Sequence, residues 1–206
     1  MGRGKIVIIS GPSGSGKTTL YKKLLASKKV KGNLVKSISV TSRPMRKGEK
    51  EGRDYFFVSL KMFLHKKRKR HFLESEKVFD NYYGTPYKNV RELLGAGKNV
   101  LLCIDVKGTK TVCQKISNVV TIFVKAPSIQ TLKFRLNKRG SENGDVVRLR
   151  LAAARKEMRE AIHYRHTIIN DNLRTAYRQL EAIVCAELNR DPPIKQKRIK
   201  EQQKGG

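Results

Sequence analysis

The segment ISGPSGSGKTTLYKKL, residues 9–24, contains the residue types that hold phosphate groups. Residues 11–18 fit the pattern G-x-x-x-x-G-K-[ST], with an apolar stretch before it and a helical pattern after it. Glycines let backbone N–H groups approach phosphate oxygens closely, and the start of the next helix adds the positive end of its dipole. We expect Lys17 to reach the β- and γ-phosphates of a nucleotide and the Thr18 hydroxyl to hold Mg²⁺. The predicted phosphate-contacting residues are Gly11, Pro12, Ser13, Gly14, Ser15, Gly16, Lys17, Thr18 and Thr19.

This loop leaves the phosphate acceptor open. GTPases, motor ATPases and small-molecule kinases share it, and a glycine-rich turn that binds nothing is the alternative without function. Other segments of the chain must therefore select the reaction.

The segment SVTSRPMRKGEKEGRDYFFV, residues 39–58, offers a second phosphate site. Arg43 and Arg46 stand three residues apart beside hydroxyl groups, and Tyr55 follows a glycine turn. Arginine binds phosphate through two N–H bonds and keeps its charge, so two guanidinium groups and a phenol suit a phosphate monoester.

The segment FLESEKVFDNYYGTPY, residues 72–87, contains groups that can read a nucleobase. The Glu74 carboxylate can accept two parallel bonds from N1 and the 2-amino group of guanine, and the Thr85 hydroxyl can donate to O6. Adenine would leave that carboxylate unpaired, and such mismatches discriminate strongly. The pattern favours a guanine nucleotide as acceptor.

Taken together, these motifs resemble the guanylate kinase family. The resemblance runs from about residue 4 to residue 188 and includes T-S-R-P-x-R-x-G-E-x-x-G-x-D-Y-x-F, F-L-E followed by N-Y-Y-G-T, I-D-V-x-G and R-L-x-x-R-G-S-E. It implies a kinase that converts MgATP and GMP (or dGMP) to ADP and GDP (or dGDP). It also implies a region that closes over GMP and a LID that covers the triphosphate.

The resemblance assigns roles by position. Expected contacts to the GMP phosphate are Ser39, Arg43, Arg46, Tyr55 and Tyr83. Expected guanine contacts are Glu74 and Thr85. The arginines expected around the transferred phosphoryl group are Arg135, Arg139 and Arg150, and with Lys17 and Arg43 they form the expected catalytic set. Asn170 matches a segment near the adenine of ATP.

Two positions depart from the family pattern in the segment LLCIDV, residues 101–106, and just after it. Cys103 stands where the family usually has an acid, and Lys107 stands where glutamine is common. Asp105 remains as the acid, expected near GMP and near Mg²⁺ through water.

Strands alternating with helices predict an α/β protein with a mostly parallel sheet. The resemblance to guanylate kinases further implies a three-layer P-loop NTPase fold with a parallel CORE sheet, an inserted α+β GMP-binding region and a short LID. Strands are predicted at Lys5–Ser10, Ser37–Val40, Tyr55–Val58, Val100–Val106, Val119–Val124 and Thr167–Asn170. The expected boundaries within the 1–190 domain are CORE at about 1–36 and 93–190, the insertion at about 37–92 and the LID at about 137–150, with a basic, disordered tail at 191–206. Periodic apolar residues predict helices near residues 147–161 and 173–188, the second capped by Asp171 or Asn172.

Composition narrows the class of protein. No apolar run reaches the length of a membrane span, and the N-terminus lacks the apolar region of a signal peptide, so we expect a cytoplasmic protein. The expected assembly is a monomer or a homodimer. The 46 Lys and Arg residues against 17 Asp and Glu residues give a net charge of +29, which attracts polyanions without identifying one.

The run HKKRKRH, residues 65–71, is the strongest cluster of charge. It suits a nucleic-acid patch, but no aromatic residues interleave with it, which favours a solvated surface in a very basic protein. Nucleic-acid binding therefore rests on charge alone. Two further alternatives are a kinase-like module that binds peptides and a P-loop kinase acting on a ribose phosphate; the retained Lys17 and Thr18 disfavour the first, and Glu74 and Thr85 the second.

Overall fold

A computed structural model describes residues 4–138 and 144–190 of the chain. Its strands are β1 (Ile6–Ser10), β2 (Leu34–Lys36), β3 (Val40–Thr41), β4 (Phe56–Phe57), β5 (Phe72–Val78), β6 (Asn81–Pro86), β7 (Asn99–Cys103), β8 (Val119–Lys125) and β9 (His166–Ile169). Its helices are α1 (Lys17–Ala26), α2 (Leu60–Arg68), α3 (Tyr87–Gly95), α4 (Val106–Lys115), α5 (Ile129–Lys138), α6 (Gly144–Arg159) and α7 (Leu173–Asn189). A short 3₁₀ helix at Glu160–His163 follows α6.

The central sheet has five parallel strands in the order β2-β7-β1-β8-β9. Its side chains alternate between two apolar layers, as the period of a strand requires. Val7 and Ile9 face the layer formed with α1 and α7, whereas Ile6 and Ile8 face the layer formed with α3 and α4. The predicted α/β fold with a parallel sheet between two helical layers is confirmed.

The ends of β7 and the start of α4 differ from the prediction. The sequence predicts a strand over Val100–Val106, whereas β7 ends at Cys103. The Asp105 side chain accepts a hydrogen bond of 2.7 Å from the N–H of Gly108 and so caps α4, which begins at Val106. This cap satisfies one of the N–H groups that the first turn of a helix leaves unpaired, so the chain turns into α4 after Asp105.

The inserted region contains more regular structure than expected. Two strands are predicted between residues 36 and 92, whereas the structure has a four-stranded sheet in the order β4-β3-β6-β5, here called the insertion sheet. Most of its length is the antiparallel hairpin β5–β6. The sequence did not predict this hairpin because its strands are rich in charged and polar residues, as in ESEK, residues 74–77. The predicted strand at Ser37–Val40 overlaps β3 (Val40–Thr41) only at Val40, and β2 (Leu34–Lys36) of the central sheet was not predicted.

The helices α6 and α7 lie where the periodic apolar residues predicted them. Asn172 caps α7, accepting bonds from the N–H groups of Arg174 and Thr175. In α6, Val147 and Ala154 are buried, and Ala154 packs with Leu132 of α5. The predicted LID lies partly outside the described residues, and the predicted tail 191–206 lies wholly outside them. No helix within residues 4–138 and 144–190 has the length and hydropathy needed to cross a membrane.

Candidate active site

A cleft of about 260 Å³ lies between the carboxyl ends of the central strands and one face of the insertion sheet. Open parallel sheets bind ligands at this edge, where the loops after several strands meet. The predicted site residues that line the cleft are Gly11, Ser13, Gly14, Gly16, Lys17, Thr18, Ser39, Arg43, Arg46, Tyr55, Glu74, Tyr83, Asp105 and Arg150. The predicted site residues that do not line it are Pro12, Ser15, Thr19, Thr85, Arg135 and Asn170. Arg139 lies outside the described residues.

The phosphate loop is held open by its own backbone and by Asn170. Gly16 has a φ of 91°, and a Cβ there would collide with the Nδ2 atom of Asn170. That Nδ2 donates 2.8 Å to the carbonyl of Ser15, so the end of β9 fixes the loop. The Lys17 amino group donates to the carbonyls of Gly11 at 2.5 Å and of Pro12 at 2.9 Å, folded against the loop whose phosphate it is predicted to contact.

Two of the predicted arginines approach the loop from α5 and α6. The Arg150 guanidinium donates 3.1 Å to the Ser13 hydroxyl. The Arg135 guanidinium donates 2.9 Å to the Asn170 carbonyl, and its Nη1 atom is buried without a partner among the described residues. A buried guanidinium nitrogen with an open donor suits an anion, because such a donor is costly to leave unpaired.

Arg43 is fixed at the rim of the insertion sheet. Its Nη2 atom donates to both Glu49 carboxylate oxygens, at 2.8 and 3.0 Å, and its Nη1 donates 2.6 Å to the Pro44 carbonyl. The guanidinium lies 5.5 Å from the ring centre of Tyr55, which meets Tyr83 edge to face. Glu49 and Pro44 therefore hold the Arg43 guanidinium beside two phenols, and its role as a phosphate clamp stays a prediction.

Glu74 and Thr85 form a buried pair across the β5–β6 hairpin. The Thr85 hydroxyl donates 2.5 Å to a Glu74 carboxylate oxygen, and Glu74 is only 5% exposed. Burial raises the pKa of Glu74 to about 7, the Asp105 carboxylate adds to the rise, and the Thr85 bond opposes it. A carboxyl in this environment gains strongly from donors that pair with its ionised form.

Asp105 and Cys103 lie at the base of the cleft, where β7 ends. Burial raises the pKa of Asp105, while the hydrogen bond from Gly108 and the charges of Lys107 and Lys17 act against it. Asp105 is thus an acid of the cleft at the end of this strand, and its role near GMP and Mg²⁺ stays a prediction.

Sequence reasoning missed several residues that line the cleft: Tyr21, Glu49, Asp54, Glu76 and Glu157. Glu49 and Asp54 belong to the motif T-S-R-P-x-R-x-G-E-x-x-G-x-D-Y-x-F, and their place in that motif could have identified them. Glu157 lies seven residues after Arg150, two turns along the same face of α6, and could have been found from that spacing.

Comparisons with known proteins agree with this geometry. Residues 3–187 match the family model for guanylate kinase. The chain is 41% identical over 185 residues to guanylate kinase from Rickettsia felis, covering 90% of this chain and 95% of that protein. It is 40% identical over 194 residues to guanylate kinase from Clostridium perfringens strain 13, covering 94% and 88% respectively.

A solved structure gives the same result for the fold. The crystal structure of guanylate kinase from Anaplasma phagocytophilum superposes with a TM-score of 0.75 at 34% identity, covering 91% of this chain and 87% of that one. With the phosphate loop, Arg43 and Glu74 all lining one cleft, these matches show the family. The chain belongs to the guanylate kinase family.

Proposed function

We propose that the chain transfers the γ-phosphoryl group of ATP to GMP, giving ADP and GDP. The observation that carries this proposal is the meeting of two different sites in one cleft. A phosphate loop forms one wall, and Glu74 on the insertion sheet forms the other. A GTPase or a motor ATPase needs only the first of these.

The donor site is built by α1 and the loop before it. Backbone N–H groups of the loop and the N-terminus of α1 bind the phosphates of ATP. Lys17 leaves the carbonyls of Gly11 and Pro12 to pair with phosphate oxygens when nucleotide is bound. Arg150, already hydrogen-bonded to Ser13, adds positive charge where the γ-phosphoryl group is transferred.

The acceptor site is built by the insertion sheet. Arg43, Arg46 and Tyr83 hold the phosphate of GMP, while the ionised Glu74 accepts bonds from N1 and the 2-amino group of guanine. The Thr85 hydroxyl then turns from Glu74 to O6 of the base. dGMP shares these base and phosphate contacts and is included in the proposal.

Transfer requires alignment more than covalent catalysis. A phosphoryl group passes in line between two oxygens, and the enzyme contributes position and positive charge around it. Closure of the insertion and of the LID would exclude water and favour GMP over water as acceptor. A contact that bridges the cleft already exists, because the Arg150 guanidinium lies 5.1 Å from the ring centre of Phe79 at the tip of the β5–β6 hairpin.

The oxygen donors in the cleft fit Mg²⁺. The Thr18 hydroxyl at the start of α1 and the Asp105 carboxylate at the end of β7 both line it, and oxygen is the donor that Mg²⁺ prefers. Among the described residues, no group of three or more His, Cys, Asp and Glu side chains could hold a metal, which suits an ion held largely by phosphates and water. When bound, Mg²⁺ neutralises charge on the β- and γ-phosphates.

The alternative function is that of a kinase-like module that binds peptides. In such a module the phosphate loop would not need to function. Here Lys17 and Thr18 are both present in the cleft, and Asn170 braces the loop around them. These contacts favour the kinase.

An acceptor panel tests the proposal. ADP release is measured with GMP, dGMP, IMP, AMP and UMP at fixed MgATP. We expect GMP and dGMP to be phosphorylated, IMP to be poorer because it lacks the 2-amino group, and AMP to be slower by about 10³-fold or more. Equal turnover with AMP and GMP would contradict the base-reading site.

The raised pKa of Glu74 predicts a pH dependence. Because only the ionised carboxylate accepts both guanine N–H bonds, kcat/KM for GMP should increase as pH rises through about 7. A group with that pKa is about one-tenth ionised at pH 6 and about nine-tenths at pH 8, so the expected increase is about tenfold. The phosphate of GMP also titrates, with a second pKa near 6. The Glu74→Gln variant keeps that titration and serves as control; an identical profile for both proteins would refute the assignment.

A further inference from the structure

A second cavity, of about 510 Å³, lies on the face of the insertion sheet opposite the cleft. We call it the rear groove and define it by three aromatic residues and three cations: Phe56, Phe72, Tyr87, Lys66, Arg70 and Lys88. Side chains alternate along the strands, so Tyr55 lines the cleft while Phe56 lines the rear groove. The two cavities are therefore separated by the thickness of the sheet.

The rear groove exposes aromatic surface. Phe56 is 42% exposed and Tyr87 is 47% exposed, although both are large apolar side chains. Phe72 also lines the groove and stacks on the buried Phe63 of α2, with ring centres 4.7 Å apart. Exposed aromatic rings suit a flat ligand that stacks.

The rim of the rear groove is cationic. Lys66 and Arg70 belong to the run 65–71, and no carboxylate among residues 4–138 and 144–190 lies within ion-pair distance of either. Lys88 has only a loose contact of 3.8 Å with the exposed Glu92. The one carboxylate that lines the groove, Glu51, accepts a bond from the N–H of Phe57. The charge of the rim complements a polyanion.

The backbone at Arg70 gives an independent indication. Arg70 has a φ of 52°, in the left-handed region. Its N–H bonds to the carbonyl of Lys67, and the next N–H, of His71, bonds to that of Lys66. This is the helix ending at which glycine is usual, because a Cβ is unfavourable there. An arginine at this position costs stability and places a cation on the groove.

We propose that the rear groove binds single-stranded nucleic acid. Bases stack on Phe56 and Tyr87, and backbone phosphates pair with Lys66, Arg70 and Lys88. The run 65–71 contains no aromatic residue itself. The fold places Phe56 of β4 and Tyr87 at the start of α3 beside this run. A duplex hides the faces of its bases, and an acidic peptide offers no flat groups to stack, so both fit this surface less well.

The test measures binding of a fluorescent 12-nucleotide uridylate without terminal phosphate to the full chain by anisotropy. Phe56→Ala and Tyr87→Ala should each weaken binding about tenfold. Arg70→Gly should weaken binding, reduce the salt slope by about one, and leave the thermal midpoint unchanged or higher. Kinase activity should be unchanged in Arg70→Gly, because this residue lies outside the cleft.

Control measurements separate this site from general charge. Arg91→Ala removes one exposed cation from α3 outside the groove and should weaken binding less than Arg70→Gly. Equal losses in the two variants, or displacement of the oligonucleotide by GMP with an ATP analogue, would overturn the proposal. A poly-glutamate peptide that binds as tightly as the uridylate would overturn it too. Because these readouts are of oligonucleotide binding, they stand whether or not the chain phosphorylates GMP.

Discussion

Lys17→Ala is expected to lower kcat for phosphoryl transfer by about 10³-fold or more. The ammonium group stands at the phosphate loop, between the carbonyls of Gly11 and Pro12, with no other lysine of α1 lining the cleft among the described residues. Its charge acts on the transferred group, not on the acceptor base. GMP binding, measured by calorimetry without ATP, should therefore stay within about twofold of the parent.

Lys23→Ala provides the matched control for that experiment. Lys23 lies in the last turn of the same helix, is exposed, and does not line the cleft. Its replacement removes the same charge and should leave kcat unchanged within error. If Lys17→Ala retained normal turnover, the assignment of the phosphate loop as the donor site would fail.

Glu74→Ala is expected to have the second largest effect, this time on the acceptor. The variant removes two charge-assisted hydrogen bonds to guanine, so kcat/KM for GMP should fall by about 10²- to 10⁴-fold. The KM for ATP should change little, since Glu74 lies on the insertion sheet and not at the phosphate loop. The preference for GMP over AMP should largely disappear. Unchanged GMP kinetics would remove Glu74 as the base reader.

The stability of a Glu74→Gln variant tests the free-energy cost of burying the Glu74 carboxylate. Burial raises the pKa of Glu74 from 4.5 to about 7, so ionisation favours the unfolded chain. The contribution of this group to stability is complete below pH 4.5 and is lost as pH rises through about 7. Removing the charge should then stabilise the unliganded protein at pH 8, by up to about 3 kcal/mol, and have little effect at pH 5. Thermal unfolding at both pH values checks this, and a variant less stable at pH 8 would contradict it.

Strands β1, β7 and β8 of the central sheet were predictable from sequence because they are buried on both faces. A strand such as β1 is a continuous apolar run, and the phosphate loop follows it directly in the chain. Local patterns therefore carried the prediction. The insertion sheet was not predictable in the same way, because β5 combines Leu73 in the core with Glu74 and Glu76 in the cleft. The strands β5 and β6 lack an apolar period, and β3 is specified by pairing with residues far along the chain, such as Val40 with Gly84.

In the cleft, too, some features were predictable from the sequence and others only from the structure. The types of side chain at positions 17, 43 and 74 were evident from motifs, and the structure places all three in the cleft. Their partners were not evident. The Nη2 atom of Arg43 donates to both carboxylate oxygens of Glu49, and the Nδ2 atom of Asn170 donates to the Ser15 carbonyl; both contacts depend on how loops pack.

By itself the sequence determined the family and the phosphate loop and indicated the groups proposed to recognise GMP, because each is a short pattern of residue types with one chemical use. Tertiary structure decided what those groups experience. It buried Glu74 beside Asp105 and so moved its pKa to about 7, a property set by desolvation and not by sequence neighbours. It also brought Phe56 and Tyr87 beside the basic run of α2, which lies between them in the chain, because pairing in the insertion sheet places distant residues side by side.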